Sequence, residues 1–537
     1  MASTIAHAKS EWDTLHHNGP FPLKTLYITE LEGEGNLPDK FARYTDAAHE
    51  IQRLIQETKD AHQGFRAYGS RWSMNHIASH HDRMHYNGFM NMHIPTFATD
   101  MNANSNYHTD NVFFFQCGNT IKRVSEVLSA HGKSLKTSGA SNGQTIAGCI
   151  STGVHGSGLD VGSVQDYVVG LNIITGPNPQ DIVYLEPASK PALNDTFAQK
   201  IAGRIIRDDE IFKAALVSLG SFGFIHGVVI EAEDRFLLNR YVQKIPKKLA
   251  LELSTTMDFA NSSFKIPQEV DANGKPNRPY HYKVFINPYS KETDYVVEVM
   301  YKKPYQTPYP DPFPIIKESI YRDLIYVFIK IAEKFPKSIP WLIKRLRKTI
   351  LPLNDLERVV TGTLPEIFWD APYQGAAFAC SFGVDHKDSA KALQVLTDLT
   401  VNEGPIPGIF AMRFVKQSEA TMAFTKFPIT CMLEIDGVLW KPNRRIMSLN
   451  QYGKRMIEEL KKHNIPFTIH WGKNADWDHP GLVEHMFNPA SIKSWQKSRA
   501  ALLSPEMQEL FSNHFLSDIK LKNQVTSPVI EPNDPIT

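Results

Sequence analysis

Residues 138–158 read Ser138-Gly139-Ala140-Ser141-Asn142-Gly143-Gln144-Thr145-Ile146-Ala147-Gly148-Cys149-Ile150-Ser151-Thr152-Gly153-Val154-His155-Gly156-Ser157-Gly158. Six of these 21 residues are glycine, interleaved with Ser, Thr and Asn. Glycine lets backbone N–H groups point into one concavity, and hydroxyls add donors, an arrangement that suits a pyrophosphate. A flexible surface loop is the alternative. Ile146, Cys149, Ile150 and Val154 run apolar through the glycines, which favours a packed segment. The stretch is neither a P-loop nor a GxGxxG turn, because no strand–GxGxxG–helix context surrounds it. On this chemistry alone, phosphate binding and a structural role both stay open.

On either side the chain alternates between helical and strand-like patterns. Ala48, Ile51, Leu54 and Ile55 recur at helical spacing between Thr45 and Thr58, with Gly64 beyond the end. Phe65–Tyr68 then reads as a short strand running into Gly69-Ser70-Arg71-Trp72-Ser73. Val112–Cys117 predicts a second strand, followed by a helix capped by Asn119 or Thr120, with Ile121, Val124, Val127 and Leu128 inward and Gly132 at its end. Tyr167–Thr175 is again strand-like. The pattern predicts an α+β domain reaching residue 236. Beyond it come strand-like runs (Tyr280–Ile286, Tyr295–Tyr301), a proline-dense connector (Lys303–Pro314) and a basic helical segment (Ser319–Leu351). A helix at Gln451–His463 and a strand at Phe467–His470 follow.

The order of these segments resembles the vanillyl-alcohol-oxidase (p-cresol-methylhydroxylase-type) family of FAD-binding flavoproteins. Three motifs carry the resemblance. Arg66-Ala67-Tyr68-Gly69-Ser70-Arg71-Trp72-Ser73 is similar to the first diphosphate loop, and Gln144–Gly158 to the family's long second motif. Leu219-Gly220-Ser221-Phe222-Gly223-Phe224-Ile225 resembles the third. The resemblance implies an α+β fold, with a two-subdomain FAD-binding domain over 20–236 split near residue 108. It also implies an α+β substrate (cap) domain over 237–440, and a segment over 441–537 that completes the active site. It assigns FAD to Tyr68, Gly69, Ser70, Arg71, Trp72, Ser73, Ser138, Gly139, Ala140 and Gln144. Thr145, Gly148, Ser151, Thr152, Gly153, His155, Gly156 and Ile225 complete that set. Many relatives link flavin covalently through a histidine in the first loop. Trp72 stands there, so FAD is expected to be held non-covalently.

The chemistry half lies near the C-terminus. Ile469-His470-Trp471-Gly472-Lys473 resembles the H-W-G-K of the aldonolactone oxidase and alditol oxidase branch. Lys473 is expected to stabilise negative charge on reduced flavin, and His470 to take the hydroxyl proton or orient substrate. Phe410-Ala411-Met412-Arg413-Phe414 resembles the E-x-R-F strand of that branch: Arg413 keeps the cation, and Ala411 replaces the glutamate. Glu434 is a candidate replacement, although a lone Glu on a strand more often faces solvent. The stretch Tyr282–Tyr289 looks like the substrate-domain strand of flavin-linked cholesterol oxidases. The expected activity is transfer of a hydride from a CH–OH group of an alcohol, polyol, sugar lactone or sterol-like molecule, with oxygen or another acceptor reoxidising the flavin. Oxidation of an amine or activated C–H, or flavin binding without turnover, are the rivals.

Composition narrows the classes. The 537 residues carry 58 Lys+Arg against 57 Asp+Glu, so no basic footprint for nucleic acid exists. The four cysteines have no CxxC spacing, no stretch has the apolar length of a membrane span, and the first residues do not read as a signal peptide. A cytoplasmic protein, with a homo-oligomer possible in principle, is expected. His76, His80, His81 and His85 include i,i+4 pairs, but the stretch holds few carboxylates and no metal is expected. The basic amphipathic segment 321–351 is broken by Pro336 and Pro340, which favours a cap or an oligomer contact over membrane binding.

Overall fold

The computed structural model describes residues 2–33, 36–310, 331, 334–350, 359–367, 375–442 and 446–522, without the side chains of 345–350. Three sheets organise it. The first, four-stranded, runs in the order Ala2–Ala8, Thr25–Leu31, Arg83–Tyr86, Phe65–Tyr68. Its first pair is antiparallel and the others are parallel. The helix Leu37–Asp60 makes the crossover and buries Ala47, Ala48, Ile51, Leu54 and Ile55. It begins at Leu37 rather than near Thr45, because Asn36 accepts from the Asp39 amide and Pro38 occupies the first turn. Leu37 and Phe41 pack half-buried against a core cluster that includes the buried Tyr44, so the apolar face also begins ahead of Thr45. The strand Ala2–Ala8 lies ahead of residue 20, where sequence placed the edge of the domain.

The second sheet has six strands in the order Arg204–Arg207, Ile182–Glu186, Val168–Ile174, Phe224–Glu231, Val112–Gln116, His93–Ile94. Val112–Gln116 and Val168–Ile174 are buried at every position, as continuous apolar runs covered on both faces should be. Thr120, not Asn119, caps the helix Ile121–Ala130 by accepting from the Arg123 amide. The glycine-rich stretch, for which sequence favoured a packed segment without assigning a helix, holds a short one, Ile146–Thr152. Ile146, Cys149 and Ile150 stand at i, i+3 and i+4 and point inward. Gly153, at φ +70°, ends the helix, and the Val154 amide closes on the Cys149 carbonyl at 2.9 Å.

The third sheet is antiparallel and eight-stranded: Val360–Thr363, Phe236–Pro246, Asp294–Pro304, His281–Ile286, Gly408–Lys416, Ile429–Val438, Ala377–Asp385, Thr468–Ile469. Its last strand comes from beyond residue 441, so the C-terminal segment is stitched into it. From there the chain returns to the first two sheets. The Trp495 indole donates to the Val217 carbonyl (3.0 Å), and Arg499 donates to the Ser221 carbonyl (2.9 Å). Arg66 donates to the carbonyls of Gly220 (2.8 Å), Ile77 (2.8 Å) and Phe511 (3.0 Å) and to that of Leu219. A guanidinium buried among carbonyls ties the first and third motifs to the C-terminal helices; its burial lowers its pKa to about 9. Of the basic segment, the helix Ile339–Ile350 is described. Residues 319–330 and the connector beyond 310 lie outside the described residues.

Candidate active site

One cavity of about 540 Å³ runs between the glycine loops and a face of the eight-stranded sheet, within the range of small-molecule and cofactor sites. The loop wall is made of backbone. After the strand Phe65–Tyr68 the chain turns through Arg71, whose φ is +62°. The amides of Ser70, Arg71, Trp72 and Ser73, and of Gly139 and Ala140, find no acceptor among the described residues. A turn of this kind with unsatisfied N–H groups is an anion-binding concavity. Gln144 Oε1 and Asn87 Oδ1, on cavity-lining residues, are buried without a partner among the described residues. A Cβ at Gly148 would meet only Thr145 Oγ1, at 3.2 Å, and otherwise open space. A Cβ at Gly69 would overlap Thr145, so the two loops touch through that glycine. The amide donors and the close approach fit an FAD diphosphate, whereas the two spare oxygens are acceptors and fit only donor groups such as cofactor hydroxyls.

The sheet wall is made of charged side chains. Lys283 pairs in register with Arg413, Phe285 with Ala411, Ala411 with Glu434, and Ile409 with Asp436. Opposed residues and alternate residues share a sheet face, so these seven lie together. Glu434 therefore stands directly across from Ala411. Its carboxylate accepts from Arg413 Nε at 2.6 Å and from a second guanidinium N–H. Both side chains are buried, 9% and 4% exposed, so Glu434 does not face solvent as a lone strand glutamate usually does. Burial alone would raise its pKa; the Arg413 charge and hydrogen bonds, then His155 and Lys283, hold it well below the carboxylate range.

Two neutral histidines adjoin this pair. His155 Nδ1 donates to the Gly156 carbonyl (2.8 Å), leaving Nε2 facing Glu434 at 3.9 Å. Burial and the Arg413 charge lower its pKa to about 3. His470 stacks on Phe424 with ring centroids 4.5 Å apart, and its Nδ1 accepts from the Gly472 amide at 3.0 Å. That bond puts the proton on Nε2. Burial, with His155 and Lys473 nearby, lowers the pKa of His470 well below its ordinary value. In this tautomer His470 donates; it does not accept a proton.

The turn carrying Lys473 is bolted to the first loop. Asn75 Nδ2 donates to the carbonyls of Trp471 and Lys473, each at 2.8 Å, and the Met74 amide donates to that of Gly472 at 2.9 Å. Trp471 is fully buried, donates to the Met422 carbonyl (2.8 Å) and stacks on Trp477. Segments 400 residues apart in sequence thus meet at the cavity.

Of the residues singled out from sequence, Tyr68, Gly69, Ser70, Arg71, Trp72 and Ser73 line the cavity, as do Gly139, Ala140, Gln144, Thr145 and Gly148. So do Ser151, Thr152, His155, Ile225, Arg413, His470 and Lys473. Four stand behind the wall instead. Ser138 bonds back to the Gly139 carbonyl, Gly153 serves the helix end, and Gly156 is needed because a Cβ would strike Thr137. Glu434 lies beneath Arg413. Sequence missed Asn87, Lys283 and Asp436, all in the wall. Strand alternation carried the signal for the last: Asp436 is two residues past Glu434 on the same strand.

The four histidines of 76–85 do not share a helical face. His76 sits in a one-turn 3-10 helix and bonds Asp518 at 2.7 Å, while His85 is in a strand, buried, against Thr29 Oγ1 at 2.8 Å. His80, His81 and Asp82 do cluster, but Asp82 is engaged by Lys24 Nζ and the Gly64 amide, and His80 Nδ1 by the Asp82 amide.

Comparison with known proteins agrees with this geometry. Residues 43–178 match the family described as "FAD binding domain". The chain carries an FAD-binding domain and has the fold of the vanillyl-alcohol-oxidase-type flavoproteins. Over 131 residues it is 31% identical to a "Putative D-arabinono-1,4-lactone oxidase" of Neurospora crassa, covering 24% of this chain and 20% of that protein. The matched stretch is thus about a fifth of the relative's length. In three dimensions it superposes on cholesterol oxidase from B. sterolicum with a TM-score of 0.66 at 12% identity, covering 96% of this chain and 97% of the other. A VAO-type flavoprotein from Myceliophthora thermophila C1 gives 0.57 at 9% identity, covering 90% and 78%. At such identities the likeness is one of fold.

Proposed function

We propose that this chain is an FAD-dependent oxidoreductase acting on the CH–OH group of an alcohol with an apolar body. One observation carries the reading: a single cavity joins the diphosphate loops to the Arg413, His470 and Lys473 wall. Bound FAD supplies a two-electron acceptor. The amides of residues 70–73 and 139–140 bind its diphosphate, and Lys473 sets a fixed cation where negative charge develops. His470 donates its Nε2–H to a substrate oxygen and so orients it. Arg413, locked by Glu434, adds positive potential without being free to move. Phe285, Ile343, Phe378, Ile409 and Val438 line the remaining space and exclude water. This apolar wall suits a hydrocarbon body better than a sugar lactone, whose several hydroxyls need partners. Trp72 occupies the place of the linking histidine, with its ring 5.3 Å from that of His16, so attachment is read as non-covalent. All four cysteines are buried free thiols, in keeping with a cytoplasmic location, which we include in the proposal.

The test is anaerobic. Purified protein should be yellow, release its FAD on acid precipitation, and lose flavin absorbance when mixed with members of an aliphatic alcohol series. Colour that stays with the pellet would refute non-covalent attachment. Bleaching by amines and by no alcohol would replace the CH–OH reading with its rival.

A further inference from the structure

The oxidation of an alcohol needs a group to take the hydroxyl proton, and the residues so far placed do not provide one. His470 already carries a proton on Nε2 and gives its Nδ1 to a backbone amide. His155 lines the cavity, but its Nε2 faces Glu434 at 3.9 Å, and burial and the Arg413 charge lower its pKa to about 3, which makes it a poor proton acceptor. The glutamate itself is saturated by the guanidinium fork. Asp436 is the one carboxylate that lines the cavity among the described residues. It makes no hydrogen bond or ion pair with any described residue, unlike Glu434 two positions earlier. Its neighbours in register are Ile409 and Ala379, both too short in polar reach to occupy it. Asp436 is solvent-accessible and lines the cavity. An unpartnered carboxylate beside an apolar pocket, with cations near enough to perturb it, is what a proton acceptor needs.

We infer that Asp436 receives the substrate hydroxyl and acts as its general base, in place of the glutamate that Ala411 lacks. This rests on the CH–OH reading above. The step balances as follows: the O–H proton passes to the Asp436 carboxylate, the α-C–H bond gives its hydride, with both electrons, to FAD as oxidant, and the alcohol becomes a carbonyl. Ala411 contributes by absence, since its methyl leaves space on the sheet face between Phe285 and Glu434. The groups facing Asp436 are Glu434 on its own strand, Arg413 and Lys283 on the strands alongside, and Lys473 and His470 on the turn. Burial raises its pKa and Glu434 adds to the rise, while Lys473, Lys283 and Arg413 oppose it. The raised pKa makes this carboxylate a better proton acceptor than an ordinary aspartate.

Asp436→Asn tests this in the FAD-loaded full-length protein. The change is isosteric and breaks no hydrogen bond, so the flavin-to-protein ratio and melting temperature should stay at wild-type values. Anaerobic flavin reduction by a primary aliphatic alcohol should slow at least about a hundredfold. Wild-type rates should rise with pH as Asp436 deprotonates, and that limb should vanish in the variant. A readout independent of turnover is binding of a tertiary aliphatic alcohol, which has no α-hydrogen to lose, followed by perturbation of the flavin spectrum. Its affinity should fall about tenfold in Asp436→Asn, the scale of one charge-assisted hydrogen bond. An Asn variant matching wild type in rate, pH profile and tertiary-alcohol affinity overturns the role of Asp436 alone. Wild-type flavin that no alcohol reduces overturns the CH–OH reading, and the role of Asp436 with it.

Discussion

The two walls of the cavity are built on opposite principles. The loop wall holds its ligand with main-chain amides and glycines; of its two lining arginines, Arg66 is buried among backbone carbonyls and Arg71 is exposed. The sheet wall holds Lys283, Arg413, Asp436 and the hidden Glu434, delivered by strands from three parts of the chain. A diphosphate carries the same charge in every catalytic state, so fixed dipoles suffice for it. A reacting hydroxyl changes charge during turnover, so its wall needs groups that bear and exchange charge. Shape mutations should therefore injure the first wall, and charge mutations the second.

The largest effect should come from filling the loop wall. Gly148→Val projects an isopropyl group into open cavity, so the protein should fold yet retain no FAD through gel filtration, an affinity loss of over about a hundredfold. Gly153→Ala is the control. Its φ of +70° and the Phe424 ring at 3.1 Å should cost about 1–2 kcal/mol of stability while leaving the flavin ratio near one. The opposite pattern, flavin kept by Gly148→Val and lost by Gly153→Ala, would put the wall in the wrong place.

The next effect belongs to the sheet wall. Arg413→Met leaves the Glu434 carboxylate buried and unpaired, which should cost roughly 3–5 kcal/mol, and Arg413→Met/Glu434→Met should recover much of it. The pH dependence has a definite sign. In the wild type the Glu434 pKa is depressed, so its contribution is full above the ordinary carboxyl pKa and lost as pH falls below it. In Arg413→Met the largest offset to burial is gone and only the weaker influence of Lys283 and His155 remains, so the folded-state pKa rises and acid relieves the penalty. The melting gap between the two proteins should narrow as pH drops from about 7 to 5. A gap that widens would mean Glu434 is not the group left behind.

The same contrast explains what could be read from sequence. The loop wall is local: Gly69–Ser73 and Gly139–Gly148 each contribute consecutive residues, so a short string suffices to show the chemistry. Even there the helix Ile146–Thr152 escaped, because Gly, Thr, Ser and Ile have weak helix propensity and hid its spacing. The sheet wall is not local. That Ala411 lacks a carboxylate is visible in the strand itself. That Glu434 supplies one depends on a cross-strand register set by the connection between Lys416 and Ile429. Lys283 joins through a further strand more than a hundred residues upstream. The tautomer of His470, which decides whether it can be a base, is fixed by one backbone amide of its own turn and has no sequence signature.

The smallest effect is expected where intuition would put a large one. Arg71 is a cation in a loop that binds a diphosphate, and a salt bridge to phosphate would make it indispensable. The backbone account assigns the phosphate oxygens to the amides of residues 70–73 instead, with Arg71 contributing only long-range potential through an exposed side chain, screened by salt. Its φ of +62° is one that glycine adopts without penalty and a side chain does not. Arg71→Gly should therefore relieve about 1 kcal/mol of backbone strain while removing the charge, and the two changes partly offset. FAD affinity, measured by fluorescence titration of the apoprotein, should change less than about tenfold, with a shallower salt dependence than wild type. Arg71→Ala, which removes the charge and keeps the strain, should behave alike in salt dependence and melt slightly lower. A loss of affinity beyond about a hundredfold in both variants would assign the diphosphate to the guanidinium, and the division between a backbone wall and a charged wall would fail at its clearest point.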